Sequence, residues 1–105
     1  MSANLAPQDL DREVAELLAE DGLAASSYET AVRAHQLAKI LADAGRTDQA
    51  AALYRRSVRI KQRVLGPNHP EVATTLHNLA LLFKTMGHVE EARSLWAEAR
   101  AVLEP

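Results

Sequence analysis

The 105-residue chain contains no cysteine. Disulfides, thiolate nucleophiles and cysteine-held zinc are thereby excluded together, and the composition suits a reducing compartment. Aromatics number only four, β-branched residues are sparse, and no stretch alternates apolar with polar side chains for long, so strands are not expected. Long hydrophobic runs are missing as well. The longest, around Leu79–Phe83, falls far short of the ~20 residues that span a membrane. Met1–Asp9 has neither the basic nor the apolar region of a secretory leader. The expectation is a soluble cytoplasmic protein with no membrane partner.

What is present is ordinary for a folded chain: 48% apolar and 25% charged residues, enough to bury a core in one domain. The net charge of −2 is unevenly spread, because residues 1–30 hold seven acids and a single base, Arg12, whereas the rest hold seven acids and eleven bases. An acidic and a basic part can form a partner surface or a self-association seam; a merely solvated acidic helix is the plainer alternative.

Apolar residues recur at helical spacing throughout. A first helix is predicted over Gln8–Glu20, with Leu10, Val14, Leu17 and Leu18 on one stripe and Asp21 and Gly22 ending it. A second spans Ser27–Ala44. Ser26 and Glu29 have capping-box spacing before it, and Gly45 is placed as its left-handed stop. A third covers Asp48–Val64, with Thr47 as N-cap, and Gly66 and Pro67 lie beyond its end. The fourth opens at Pro70, where a missing N–H costs nothing, and ends at Gly87; His69 reads as its cap. The fifth runs over Glu90–Leu103, its first acids favourably placed against the helix dipole.

The last four helices repeat one unit. At an offset of 42 residues Glu29 aligns with Glu71, Ala31 with Ala73, His35 with His77, and Leu37 and Ala38 with Leu79 and Ala80. Gly45 then aligns with Gly87, Ala50 with Ala92 and Leu53 with Leu95, while Leu41 matches Phe83, Tyr54 matches Trp96 and Ile60 matches Val102. Small residues recur where paired helices must approach, and large ones where a gap must be filled. A two-helix unit cannot bury its face alone and so stacks on a neighbour.

The stretch Leu65–Ala73 followed by Leu76, His77, Asn78, Leu79 and Ala80, with Gly87, Glu91 and Ala92 further on, resembles the tetratricopeptide repeat, in the 42-residue variety of kinesin light chains and many bacterial proteins. The resemblance covers residues 31–105. It implies an all-α fold of antiparallel helix hairpins stacked as a short right-handed solenoid of about five helices. Residues 1–25 do not match and are read as an N-terminal capping helix on Ser27–Ala44; residues 26–66 and 67–105 are the two hairpins of one domain. In the first copy Gln36 stands where the family has Asn, and the linker before the helix is missing. Ala51 and Val58 occupy columns that should face the next repeat, where the second copy has Arg93 and Arg100, so the array is expected to be complete, with Pro105 its natural end.

The resemblance further implies a concave groove lined by the first helix of each hairpin. Its residues would be Val32, His35, Gln36, Lys39 and Asp43 from the first copy, and Thr74, His77, Asn78, Leu81 and Lys84 from the second. Asn78 matches the family residue that holds the backbone amides of an extended peptide, a role suited to a side chain that both donates and accepts. Lys39 and Lys84 could meet a carboxylate of the ligand. The bland alternative is a solvated polar face.

No other constellation suggests chemistry. His35 and His77 could lie side by side, but no third ligand stands at helical spacing, so no metal is expected. His88 sits in a turn without a nucleophile and carboxylate around it. Trp96 aligns with Tyr54 and reads as core. Arg55, Arg56, Arg59 and Arg63 form a basic face on the third helix, yet no aromatic is interleaved and the chain is acidic overall, which disfavours nucleic acid. Phosphate loops and carboxylate pairs are lacking. The expectation is therefore a non-enzymatic adaptor, without cofactor, that binds a peptide segment of a partner protein. A self-assembling homodimer, with the acidic first helix against the basic third, is the alternative.

Overall fold

The structure, a computed structural model, describes residues 7–19 and 27–104. It contains five helices: α1 (Pro7–Leu18), α2 (Tyr28–Asp43), α3 (Thr47–Leu65), α4 (Pro70–Thr85) and α5 (Val89–Leu103). There is no strand among the described residues. Helices α2 and α3 form one antiparallel hairpin and α4 and α5 a second, with α3 against α4 joining them and α1 laid across α2 and α3.

The hairpin turns are built alike. Gly45 has φ +81°, a backbone region that a side chain disfavours, and its N–H donates to Ala42 O while Arg46 N–H donates to Leu41 O. Gly87 N–H to Lys84 O and His88 N–H to Phe83 O reproduce the pattern one repeat later. Two starts differ from the sequence reading. The cap of α2 is Ser27, whose Oγ accepts from Thr30 N–H, and not Ser26, which lies outside the described residues. Thr47 is already helical: Arg46 is the N-cap of α3 and makes no side-chain cap bond. His69 does cap α4, its Nδ1 accepting from Glu71 N–H. The predicted end of α1 at Glu20, Asp21 and Gly22 also lies outside the described residues; the helix is seen to Leu18.

The core follows the repeat columns. Leu37, Leu41, Leu53, Val72 and Leu79 are buried, each such side chain contributing roughly 1.5–3 kcal/mol of transfer free energy. Ala38, Ala50, Ala80 and Ala92 sit where the paired helices come closest, and buried Ser57 donates its hydroxyl to Ala31 O across the first hairpin. Val14 plugs α1 into this core. Trp96, read as core, does pack against the core but stays only partly buried, because α4 covers the equivalent Tyr54 and α5 is the last described helix.

The acidic helix meets partners within its own chain. Glu13 takes both Nε (2.5 Å) and Nη2 (2.9 Å) of Arg33 on α2, and Asp11 pairs with Arg46. The Arg33 hydrogen bond holds the Glu13 carboxyl below its usual value against the opposing effect of burial. The predicted basic face on α3 is broken up. Arg56 is buried with its Nη2 donating to Ala19 O, and Arg55 lies over the Phe83 ring at 5.4 Å. Helical geometry explains the split, since consecutive residues point about 100° apart.

Candidate functional site

Two clefts lie on the face formed by α2 and α4, and a third adjoins them between α4 and α5. The first, of about 350 Å³, is lined by Lys39, Ala42, Asp43, Thr47, Tyr54, Asn78, Leu81, Leu82 and Thr85. The second, of about 330 Å³, is lined by Tyr28, Val32, His35, Gln36, Lys61, Glu71 and Thr74. A third, of about 540 Å³, opens between α4 and α5 and is lined by Pro70, Ala73, Thr74, His77, Trp96, Ala99, Arg100 and Leu103. Thr74 belongs to both the second and the third.

His35 of the second cleft and Asn78 of the first are joined by a hydrogen bond, Asn78 Nδ2 to His35 Nε2 at 3.1 Å. That bond sits where the two clefts meet. Of the residues expected in the groove, His35, Gln36 and Thr74 therefore share one cleft, and Lys39, Asp43, Asn78 and Leu81 another. His77 lies in the third, and exposed Lys84 in the last turn of α4 lines none of the three.

The two equivalent histidines have different surroundings. His77 Nδ1 accepts from Trp96 Nε1 at 3.0 Å and the imidazole is exposed. His35 is half-buried, stands edge-on to Tyr54 with ring centroids 5.3 Å apart, and contacts Thr75 Oγ1 through Nδ1 at 3.1 Å. Each imidazole is thus tied to the aromatic of its own hairpin. Burial holds His35 below the ordinary imidazole value, and the charges of Lys61 and Lys39 add to this while Glu71 opposes them. That shift favours the neutral ring. No group of three metal-binding side chains occurs among the described residues.

Sequence reasoning missed what lies behind His35. Lys61 of α3 is only 5% exposed and donates to Thr75 Oγ1 at 3.0 Å, with Glu71 Oε1 3.6 Å away. Burial lowers the Lys61 ammonium from its ordinary value, and Glu71 works against that shift. Tyr28 OH donates to both oxygens of the same carboxylate at 2.9 Å, which pushes the phenol's ionisation up. Tyr28, Glu71, Lys61, Thr75, His35 and Asn78 thereby form one polar seam across α2, α3 and α4. The signal was in the alignment: Lys61 occupies the column of Leu103 and Thr75 that of Arg33. A charge in a column that is apolar in the other copy calls for a partner in the neighbouring helix.

On the opposite side, Arg55, Val58, Arg59 and Gln62 line a shallow cleft of about 170 Å³ with Leu76, Leu79, Leu95 and Glu98. Val58 is buried there against α4, as its column required, whereas Arg93 is exposed and 3.8 Å from Glu90.

Comparison with known proteins bears on this arrangement directly. The profile of the tetratricopeptide repeat matches residues 29–104. Nephrocystin-3 from mouse and from human is each 38% identical over 75 residues, and that of Xenopus tropicalis 39% over 75 residues. The match takes in 71% of this chain and 5% of those far longer relatives. No helix among the described residues is long and apolar enough to cross a membrane.

Proposed function

The chain belongs to the tetratricopeptide-repeat family, and from that premise we propose that it is a non-enzymatic adaptor holding an extended peptide segment of a partner protein along the α2–α4 face. Repeats of this family mediate protein–protein interaction, and their stacked hairpins offer a continuous concave surface for it. The observation that carries the reading is the first cleft. One amide (Asn78), one cation (Lys39), one carboxylate (Asp43), the Tyr54 ring and the apolar Ala42, Leu81 and Leu82 converge there. Such a mixture suits a peptide, whose main chain needs donors and acceptors and whose side chains need apolar contact. Leu81, 42% exposed, is the apolar surface a ligand would cover.

A peptide selected from a random display library against the intact chain provides the test, its affinity being measured by titration calorimetry. Asn78→Ala should weaken binding by about 1–3 kcal/mol, roughly 5- to 150-fold, while helical content is retained. Unchanged affinity in a folded Asn78→Ala variant would remove the groove as the binding surface.

A self-assembling module is the second reading. It is favoured by the third cleft, where half-buried Trp96 and exposed Leu103 leave apolar surface open beside the buried Ala73 and Ala99. Association through the acidic helix is less favoured, because Glu13 and Asp11 are occupied by Arg33 and Arg46 of the same chain.

A further inference from the structure

Thr75 Oγ1 has three neighbours at hydrogen-bonding distance: Glu71 O at 3.0 Å, Lys61 Nζ at 3.0 Å and His35 Nδ1 at 3.1 Å. A hydroxyl has one proton to give and two lone pairs to fill. Glu71 O is a carbonyl and can only accept, so it takes the hydroxyl proton. Lys61 is an ammonium and can only donate, so it fills one lone pair. The second lone pair is left for His35, whose Nδ1 must then carry a proton. A neutral imidazole has one N–H, so Nε2 is an acceptor, and the group it faces at 3.1 Å on Asn78 must be the NH₂ end of the amide. Reversing the amide would set Oδ1 against an unprotonated nitrogen, two acceptors with no hydrogen between them.

We infer that Lys61, acting through Thr75 and His35, fixes which end of the Asn78 carboxamide is anchored, so that Oδ1 is the atom offered to an N–H donor of a ligand in the first cleft. This rests on reading that face as a peptide groove. Lys61 and Thr75 touch no ligand in this scheme; they are positioning residues, and His35 is the relay. The class of ligand follows from the polarity: a main-chain N–H opposite Asn78 matches Oδ1, whereas a carbonyl there would have to rely on the one remaining N–H of the amide. The second hairpin has no such relay, since Leu103 replaces Lys61 in the repeat column and His77 Nδ1 accepts from Trp96.

Protonation of His35 would turn Nε2 into a donor and oblige the amide to reverse. The charged or titratable groups around the ring are Lys39 on its own helix, Tyr54 and Lys61 from α3 and Glu71 from α4, with Thr75 and Asn78 as its neutral partners.

The test is nitrogen NMR of the imidazoles and of the Asn78 amide in the ligand-free chain near neutral pH. It is independent of whether any peptide binds. The His35 proton should be found on Nδ1 in the wild type and in Thr75→Ser, which keeps the hydroxyl. In Lys61→Met, where the hydroxyl is released to donate to the ring, the His35 nitrogen signals should shift towards a mixture of tautomers and the Asn78 amide signals should move with them. A wild-type ring protonated on Nε2 overturns the assignment, whether or not the variant folds. So does a folded Lys61→Met chain with wild-type tautomer populations. Retention of the expected tautomers in a chain that captures no peptide would sink the groove instead and leave the relay standing.

Discussion

His35 is the side chain whose protonation has the widest reach. Its folded value lies below the ordinary 6.5, because burial and two lysines disfavour the imidazolium. The unfolded chain therefore binds more protons in the interval between the two values. Stability contributed by the neutral ring is fully present above the unfolded value and is lost as pH falls through that interval. Urea unfolding followed between about pH 5 and 7 should show a shallower loss of stability in His35→Gln than in the wild type. The other three histidines are common to both chains, so an equal slope in the two would mean that His35 is protonated as readily in the folded state as in the unfolded one. Lys61 illustrates the same economy of position. Its charge is tolerated inside only because Thr75 and Glu71 are both at hand.

At the scale of helices and turns, the stops were legible and the starts were less so. Gly45 and Gly87 were readable because only a residue without Cβ enters their backbone region easily. The α2 start slipped by one residue because Ser26 and Ser27 both offer a hydroxyl. Ser26 has Glu29 at the reciprocal position, but Ser27 has Thr30, and the observed bonds join Ser27 Oγ to the Thr30 N–H, which donates to it, and to the Thr30 hydroxyl. The candidate groove residues came from the family resemblance, whereas the seam through Lys61 and Thr75 required knowing which turn of α3 lies against which turn of α4. Spacing along one helix does not contain that register. The link between hairpins offers a clear comparison of backbone costs. Gly66 has φ +101° and ψ 148°, a conformation nearly restricted to glycine, while Gly45 has φ +81° in the more accessible left-handed region. An added Cβ meets nothing within 4 Å at either site, so the cost is conformational alone. Gly66→Ala should destabilise by about 2–3 kcal/mol and Gly45→Ala by about 1–2 kcal/mol, as read from denaturant midpoints. The opposite ranking would mean that the link relaxes to another conformation.

For the molecule as a whole, the decisive contrast is between the two equivalent faces of the repeats. In the first hairpin Tyr54, Val58 and Lys61 are all covered by α4, while in the second Trp96, Arg100 and Leu103 border an open cleft. Arg100 interrupts that apolar surface with a charge. Arg100→Val would join Leu103, which is 60% exposed, to the half-buried Trp96 in one patch. Contiguous patches of this kind seek partners. Sedimentation across a concentration series should then show stronger self-association than in the wild type, with helical content unchanged. Identical sedimentation would indicate that the surface is too small or too recessed to recruit a second chain.

The seam through Glu71 also sets the order in which the molecule comes apart. Tyr28 and Lys61, from different helices, converge on one carboxylate of a third, and Thr75 and His35 tie the same three helices again. Lys61 and Thr75, the buried members, bind α3 to α4, and Tyr28 and His35 fasten α2 to the same groups, so these three helices should open as one cooperative block. Helix α1 has no share in that seam. Its grip is Val14 with the partly buried Leu10, Leu17 and Leu18, the Arg56 bond to Ala19 O and partly exposed ion pairs, and the Glu13 contribution, present above the unfolded carboxylate value, disappears as acid titrates it. Amide protons of α1 should accordingly exchange by a low-energy local opening that acid makes easier, ahead of the block. That gives a short stack of helices two tiers of mobility, with the candidate groove in the slower one.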